Sequence, residues 1–533
     1  MMHDLVIGID AGTSVIKAVA FDLEGRQVAI ASTPNRVHLG RDCEAEQDLA
    51  GTWNDTAATL RALAELVPAL AARTACIAAT GQGDGTWLID ANGEPVGPAL
   101  LWLDGRAAAQ VASLRNSPIA QALADRTGTA LNPSMQGVQL LWLREHQPAR
   151  LERARCAMHC KDWLFFKATG VRSTCNAEAV FTFGNFRTGQ YDNEALALLG
   201  LTDLKHLLPP IGIPGESQAP LTASAARDTG LRSGTPVVLS PMDVPATLLG
   251  GGGVAYGPSG LLHVGCSVLG STGMHGWCTQ GLDAIVPSAE AGYTMMMPVP
   301  EVRARLVSHM AATLNIDWLL SLIGEAAQLA GAAPLPKHQL LTRLNEMVLS
   351  AAPAQAIYHP YIADNGERGP FVDPQARAQL SGVGSQLGLA GMARAVFEGI
   401  ALASRDCYAA LGPLPAEIRL TGGAARSPAL RQLLADVTGR PVRVSHRDEC
   451  GAAGAALIAV IAHGHYVSVR EALPVRVDSY LDACTTAPDT RQTALYDGLF
   501  PIYRDLACSA RAQWAELARL RRTSTAPEKL PND

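Results

Sequence analysis

The sequence predicts an α/β protein of at least two domains. Three observations carry this. The chain has 533 residues, more than one hydrophobic core serves. Its first half alternates short β-branched apolar runs with longer helical patterns. A strand, small turn, strand unit occurs twice, near the N-terminus and again past residue 258.

The first unit begins with Leu5-Val6-Ile7, which leads to Asp10 and then to Gly12-Thr13-Ser14. Strands are predicted over 5–9, 15–21 and 28–32, with a Gly25-containing turn between the last two. A buried strand that ends in one carboxylate and several small backbone donors suits a metal-bound phosphate. Asp10 would reach Mg2+ through water, and the Gly-Thr-Ser amides and hydroxyls would face phosphate oxygens. An ordinary hairpin can begin with the same letters, so the rest of the chain decides. Further strands are predicted at 74–80 and 86–89, and helices at 49–67, 106–115 and 136–146. Residues 235–240 read as a buried strand ending at Met242-Asp243. In the second unit, an apolar strand over 259–264 is expected to turn at Gly265-Cys266-Ser267 and return from Val268.

The run Gly250 to Gly253 offers a hinge or a close-packed turn. A strand over 416–420 ends in Thr421-Gly422-Gly423. Ser427 is the expected N-cap of the next helix, with Pro428 at its first position. Glycines before a helix N-terminus allow close approach of a nucleotide. The helix from Gly451 carries almost no side chains on its first two turns, which permits close packing on another helix or a hinge. The tail after about Thr523 is polar with two prolines and is expected to be disordered.

A net charge of −6 argues against a nucleic-acid binder. The longest apolar run, 451–462, is too short to span a bilayer, and no signal peptide opens the chain. Eleven scattered cysteines fit reduced thiols and a cytoplasmic protein. Cys156, His159, Cys160 and Cys175 match no standard zinc spacing, and buried thiols are the better reading. The chain has no Gly-Lys pair, hence no P-loop, and no Gly-x-Gly-x-x-Gly opens a helix after a strand.

Taken in order, the motifs resemble the FGGY family of carbohydrate kinases, members of the actin-like ATPase fold superfamily. They include Ile9-Asp10-Ala11-Gly12-Thr13-Ser14, Gly81-Gln82 with Asp84, Trp102-Leu103-Asp104-Gly105-Arg106 and Lys161-Asp162-Trp163-Leu164. Further on stand Gly234-Thr235-Pro236 leading to Asp243, Gly265-Cys266-Ser267, Gly366-Glu367-Arg368-Gly369-Pro370 and Thr421-Gly422-Gly423 through Ser427. The resemblance implies two actin-like (ribonuclease H-like) domains with a nucleotide and sugar cleft between them. It implies an N-terminal domain over 1–245, an ATP-binding C-terminal domain over 246–480, and a helical extension and tail over 481–533. ATP and Mg2+ are the implied cofactors, and a small-molecule sugar or polyol the implied substrate. A homodimer is compatible with it.

Carried over residue by residue, Asp10 resembles the magnesium-associated acid. Gly12, Thr13, Ser14 and Lys17 match the first phosphate loop. Gly265, Cys266 and Ser267 match the second, where the family more often has Thr at the Cys266 position. Gly422, Gly423 and Ser427 match the adenosine loop. Asp243 matches the catalytic base, beside metal and substrate, and Gln82, Gly83, Asp84, Asp104 and Arg106 fall where sugar contacts lie. The chemistry agrees independently. Phosphoryl transfer needs positioning and charge neutralisation, and one carboxylate to take the acceptor proton. Segments such as Gly81 through Leu88 and Ala311 through Leu320 look most like the erythritol-acting members of the family. Pentulose kinases usually carry Met-His where Gly83-Asp84 stand. An acid there favours hydroxyl donors over a ketose carbonyl, so a polyol is the expected acceptor and a pentulose the alternative. A non-catalytic sugar and nucleotide sensor is the reading from a different class, disfavoured because Asp10 and Asp243 are both present.

Overall fold

The computed structural model describes residues 3–41, 43–333 and 335–525. The strands used below are β1 (Leu5–Ala11), β2 (Val15–Asp22), β3 (Gln27–Pro34), β4 (Thr74–Gly81), β5 (Gln218–Pro220), β6 (Pro236–Leu239), β7 (Val264–Leu269), β8 (Gly273–Thr279), β9 (Arg303–His309), β10 (Glu417–Thr421) and β11 (Val442–Val444). The helices are α1 (Leu49–Leu66), α2 (Cys160–Thr169), α3 (Asn176–Phe183), α4 (Asp243–Gly250), α5 (Thr313–Leu329), α6 (Lys337–Ser350), α7 (Leu389–Leu411), α8 (Pro428–Thr438), α9 (Cys450–Ala462) and α10 (Thr490–Thr525).

Two compact units emerge, and they do not break at 245/246. The first comprises 1–264, 277–305 and 446–481, the second 265–276, 306–445 and 482–533.

The first unit is built on a six-stranded sheet in the order β5-β6-β4-β1-β2-β3. The hairpins β1-β2 and β2-β3 are antiparallel, whereas β4 runs parallel to both β1 and β6. Alternation along β1 assigns its two faces. Leu5, Ile7 and Ile9 join a buried cluster with Trp53, Leu60 and Leu63 of α1 and Trp163 and Leu164 of α2. Helix α1 is started by Asp48, whose carboxylate accepts from the Ala50 and Gly51 amides at 3.1 and 3.0 Å. Gly8 and Asp10 face the other way, toward α9. A Cβ on Gly8 would lie 2.1 Å from the Ala452 carbonyl oxygen, so the helix rests directly on strand backbone.

Helix α9 also meets α4 backbone to backbone. A Cβ at Gly454 would stand 2.0 Å from the Ala246 oxygen, and one at Gly250 would stand 2.1 Å from the Cys450 oxygen. The small-residue helix is thus a close-packed one. Gly250 to Gly253 are buried, as in a packed turn. This contact is why 446–481 belongs to the first unit although it follows the second in sequence.

In a second six-stranded sheet, most of whose residues belong to the second unit, five strands run in the order β9-β8-β7-β10-β11. Helices α7 and α8 pack together, and α10 is fastened to α7 by Tyr496, whose hydroxyl donates to Glu398 at 2.6 Å beside Arg394. Helix α10 continues to Thr525, and the rest of the expected disordered tail lies outside the described residues.

The second hairpin corrects the sequence reading. Its turn is Gly270-Ser271-Thr272, between β7 and β8, and Gly265-Cys266-Ser267 lie inside β7. The apolar alternation continues through Val268 and Leu269, so the strand does not end at Gly265.

The close approach of α9 gives a test. Gly454→Ala should overpack the α4–α9 contact and cost about 1–3 kcal/mol, read as a lower urea midpoint. Gly324→Ala on α5, where the added Cβ meets nothing within 4 Å, should leave the midpoint unchanged or raise it.

Candidate active site

Asp10 sits near the end of β1, paired in register with Lys17 on β2. Its carboxylate abuts the N-terminal turn of α9. A Cβ at Gly451 would lie 2.4 Å from Asp10 Oδ2, so only glycine leaves the acid its place. Burial pushes the Asp10 carboxyl up to about 6, with Lys17 opposing and Glu449 adding to the shift. Lys17 Nζ holds both Glu449 oxygens, at 2.8 and 3.0 Å.

Asp243 is the first residue of α4, directly after β6. Its carboxylate accepts from the Val244 amide at 2.8 Å and from the Gly83 amide. Burial pushes this carboxyl up to about 8; the charges of Asp10 and Glu178 add to the shift, and the backbone hydrogen bonds oppose it. The Asp10 charge therefore reaches Asp243. Mg2+ is usually held by one or two carboxylates plus waters and phosphate oxygens, and these two buried acids fit such an ion. Among the described residues, no group of three or more His, Cys, Asp or Glu side chains is arranged to hold a metal.

The turn residues Gly12, Thr13 and Ser14 are accessible in whole or part. Thr13 Oγ1 donates to Gln82 Oε1 at 3.2 Å and accepts from Trp102 Nε1 at 2.7 Å. Buried Gln82 is fixed from its other end by Gln47, at 2.7 Å. Asp84 adopts the left-handed region, with φ 58°, and accepts from Ser134 Oγ at 3.3 Å. Gly83 and Asp84 are half-buried. Asp104 and Arg106 are brought together with each other. The Asp104 carboxylate takes the Ala45 amide and the Arg106 guanidinium, which also reaches Glu46 at 2.7 Å and lies over the Trp142 ring. Their hydrogen-bonding capacity is largely spent on one another. They brace the loop that carries them.

In the second unit, Cys266 and Ser267 are fully buried. Ser267 Oγ lies 2.9 Å from both His275 Nδ1 and Tyr408 OH. This side chain is committed to the core and does not form a phosphate turn. Ser271 and Thr272 are the exposed hydroxyls, a pair the sequence reading missed because it ended β7 five residues early. The turn is anchored by Thr313, whose amide and hydroxyl both donate to the Gly270 carbonyl, at 2.9 and 2.8 Å.

Gly422, at φ 88°, packs against the Leu269 backbone, where a Cβ would lie 2.7 Å from the carbonyl oxygen. A cavity of about 630 Å³ opens beside it, lined among others by Thr313, Lys337, His338, Asn345, Gly423 and Ser427. Such a volume suits a nucleoside-sized ligand. Ser427 caps α8 by accepting from the Leu430 amide at 3.1 Å, and its hydroxyl donates to Asn345. Gly423 and Ser427 thus line this cavity, and Gly422 forms the turn beside it.

Cys156, Cys160 and Cys175 are buried thiols whose pKa values are raised by burial. His159 beside them turns to carboxylates, Asp162 at 3.4 Å and Glu178 at 3.7 Å.

The first unit thus carries acids at strand and helix ends, and the second a glycine-bordered cavity beside a hydroxylated turn. Residues 5–250 match the N-terminal domain and residues 267–463 the C-terminal domain of the FGGY family of carbohydrate kinases. The chain belongs to this family, whose members are ATP-dependent phosphotransferases acting on an alcohol group of a small carbohydrate. It is 45% identical to the erythritol kinase of Brucella abortus over 97% of this chain and 98% of that one. It is 29% identical to the xylulose kinase of Escherichia coli over 88% and 92%. The fold matches a ligand-bound xylulose kinase from Lactobacillus acidophilus with a TM-score of 0.84 at 22% identity, covering 96% and 99% of the two chains. No described helix is long and apolar enough to cross a membrane.

Ser267→Ala should destabilise the second unit by about 1–3 kcal/mol while leaving the KM for ATP within about twofold. A large rise in that KM with unchanged stability would return Ser267 to the phosphate turn. The neighbouring imidazoles predict an acid limb. Burial pushes His309 down to about 4 and lowers His275 as well, so both protonate more readily when unfolded. Their contribution is complete above the ordinary histidine value near 6.5 and is lost as pH falls toward 4. The urea midpoint should drop between pH 7.5 and 5, and His309→Gln should shrink that drop.

Proposed function

We propose that this protein transfers the γ-phosphate of ATP to a hydroxyl of erythritol or a closely similar small polyol. The observation that carries this reading is the 45% identity, over nearly both whole chains, to the Brucella erythritol kinase. The acid at Asp84, where an imidazole would suit a keto sugar, supports it.

In this reading Asp10 and Asp243 hold Mg2+, which would neutralise phosphate charge when bound. Asp243 accepts the proton of the attacking hydroxyl, with its carboxylate oriented by the Val244 and Gly83 amides. Gly83 and Asp84 meet the polyol, and Gln82 is held in position by Gln47 and Thr13. Asp104 and Arg106 support that surface. Thr13, Ser14 and Lys17 serve phosphate oxygens, as do Gly270, Ser271 and Thr272. Gly422, Gly423, Ser427 and the neighbouring cavity take the adenosine. The first unit (1–264, 277–305 and 446–481) then presents the acceptor and the first phosphate loop, and the second (265–276, 306–445 and 482–533) serves ATP.

Asp243→Asn should abolish turnover while ATP binding persists by calorimetry; near-normal turnover would sink the base assignment. In an ADP-release assay over a panel of polyols and ketoses, erythritol should outperform D-xylulose, and the reverse order would overturn the polyol reading. Asp84→Ala should raise the erythritol KM about tenfold or more, with the KM for ATP little changed.

A further inference from the structure

Glu178 is a buried carboxylate that the roles above do not use. It stands at the third position of α3, a helix that begins after Cys175 in extended conformation. Its side chain is fully buried. Neither oxygen has a hydrogen-bond partner. The nearest cation, His159 Nε2, lies 3.7 Å away, beyond a good hydrogen bond. Lys161 pairs with Asp162 and makes no hydrogen bond to Glu178. A buried carboxylate without donors is costly.

The acids around Glu178 make the arrangement more pointed. Its charge acts on Asp243, and that of Asp84 acts on Glu178. Three carboxylates from α3, α4 and the turn after β4 thus converge in the first unit. His159 and Lys161 lower the Glu178 pKa, while Asp162 and Asp84 act with burial to raise it. What this group lacks is hydrogen-bond donors, and a polyol is a row of them. A ketose offers a carbonyl in place of one hydroxyl, and that oxygen has only lone pairs to present.

We propose that Glu178 is a specificity-determining residue of the acceptor site, its carboxylate accepting a hydrogen bond from a polyol hydroxyl other than the one that is phosphorylated. The proposal rests on the polyol-kinase reading above. A site built to hydrogen-bond a hydroxyl discriminates strongly against an analogue that lacks it, because the buried group is left unpaired. A purely structural Glu178, present to pair with His159, would show no such discrimination.

The test compares erythritol, 1,2,4-butanetriol (one secondary hydroxyl fewer) and D-xylulose, using the full chain with ATP and Mg2+. Wild type should prefer erythritol over both by tenfold or more in kcat/KM. Glu178→Gln should raise the erythritol KM about tenfold, leave the KM for ATP within twofold, and collapse the preference to within about threefold. If Glu178→Gln does not fold, Glu178→Asp is measured in the same way, and a reduced preference is again expected. Equal losses on all three acceptors, or a preference left intact, would overturn the role of Glu178. Wild type that turns over D-xylulose but no polyol would instead overturn the reading on which the proposal rests.

Discussion

The structure of the first unit depends on one steric constraint, the backbone contact of α9 with β1 and α4. Gly8, Gly250 and Gly454 each occupy a point where a Cβ would stand about 2 Å from a carbonyl oxygen. Three such points fix the helix in height and rotation over the sheet. The same contact places Gly451 against Asp10 and brings Glu449 to Lys17. A residue of any larger size at 451 would displace the acid. Packing and chemistry are therefore set together, since the helix that closes the core also shapes the space around the carboxylate.

Charge in the first unit follows two opposite rules. Asp104 and Arg106 are saturated, with the guanidinium shared among Asp104, Glu46 and the Trp142 face. Such a pair gives rigidity because breaking either half would strand a buried charge. Asp10, Asp243 and Glu178 are the reverse: burial raises the pKa of each, Asp10 and Glu178 add to the shift on Asp243, and Glu178 has no hydrogen-bond donor. Residual, uncompensated charge is the physical mark of a site that awaits a cation or a ligand's hydroxyls. The difference separates bracing residues from reacting ones more sharply than residue type does.

Much of this was legible in the sequence. Local signals found β1 to β4, α1, the strand before Asp243, and Ser427 as the cap of α8, because each depends on neighbours in sequence. The small residues of 451–456 announced close packing, though not its partner. What could not be read was set by distance along the chain. Glu449 stands 432 residues from the Lys17 it binds. The turn at Gly270-Ser271-Thr272 was misplaced because Gly-Cys-Ser inside β7 imitates a turn. Only the partners of Ser267, His275 and Tyr408, reveal that it points into the core. Glu178 carries no local signal in the sequence; its burial and the absence of donors around it depend on the tertiary fold.

The division between backbone and side chain also explains how one fold can serve several acceptors. The likeness to the Lactobacillus xylulose kinase persists at 22% identity, so the architecture tolerates wide change in side chains. The supports of Asp10 and Asp243 are mainly backbone: a strand end, a helix start, the Gly83 and Val244 amides, and a missing side chain at Gly451. Such supports survive substitution elsewhere. In the reading proposed above, Asp84 and Glu178 would instead meet the acceptor through side chains. Exchanging an acid there for an imidazole or an amide would change which acceptor groups are satisfied, while the backbone supports of Asp10 and Asp243 stay in place.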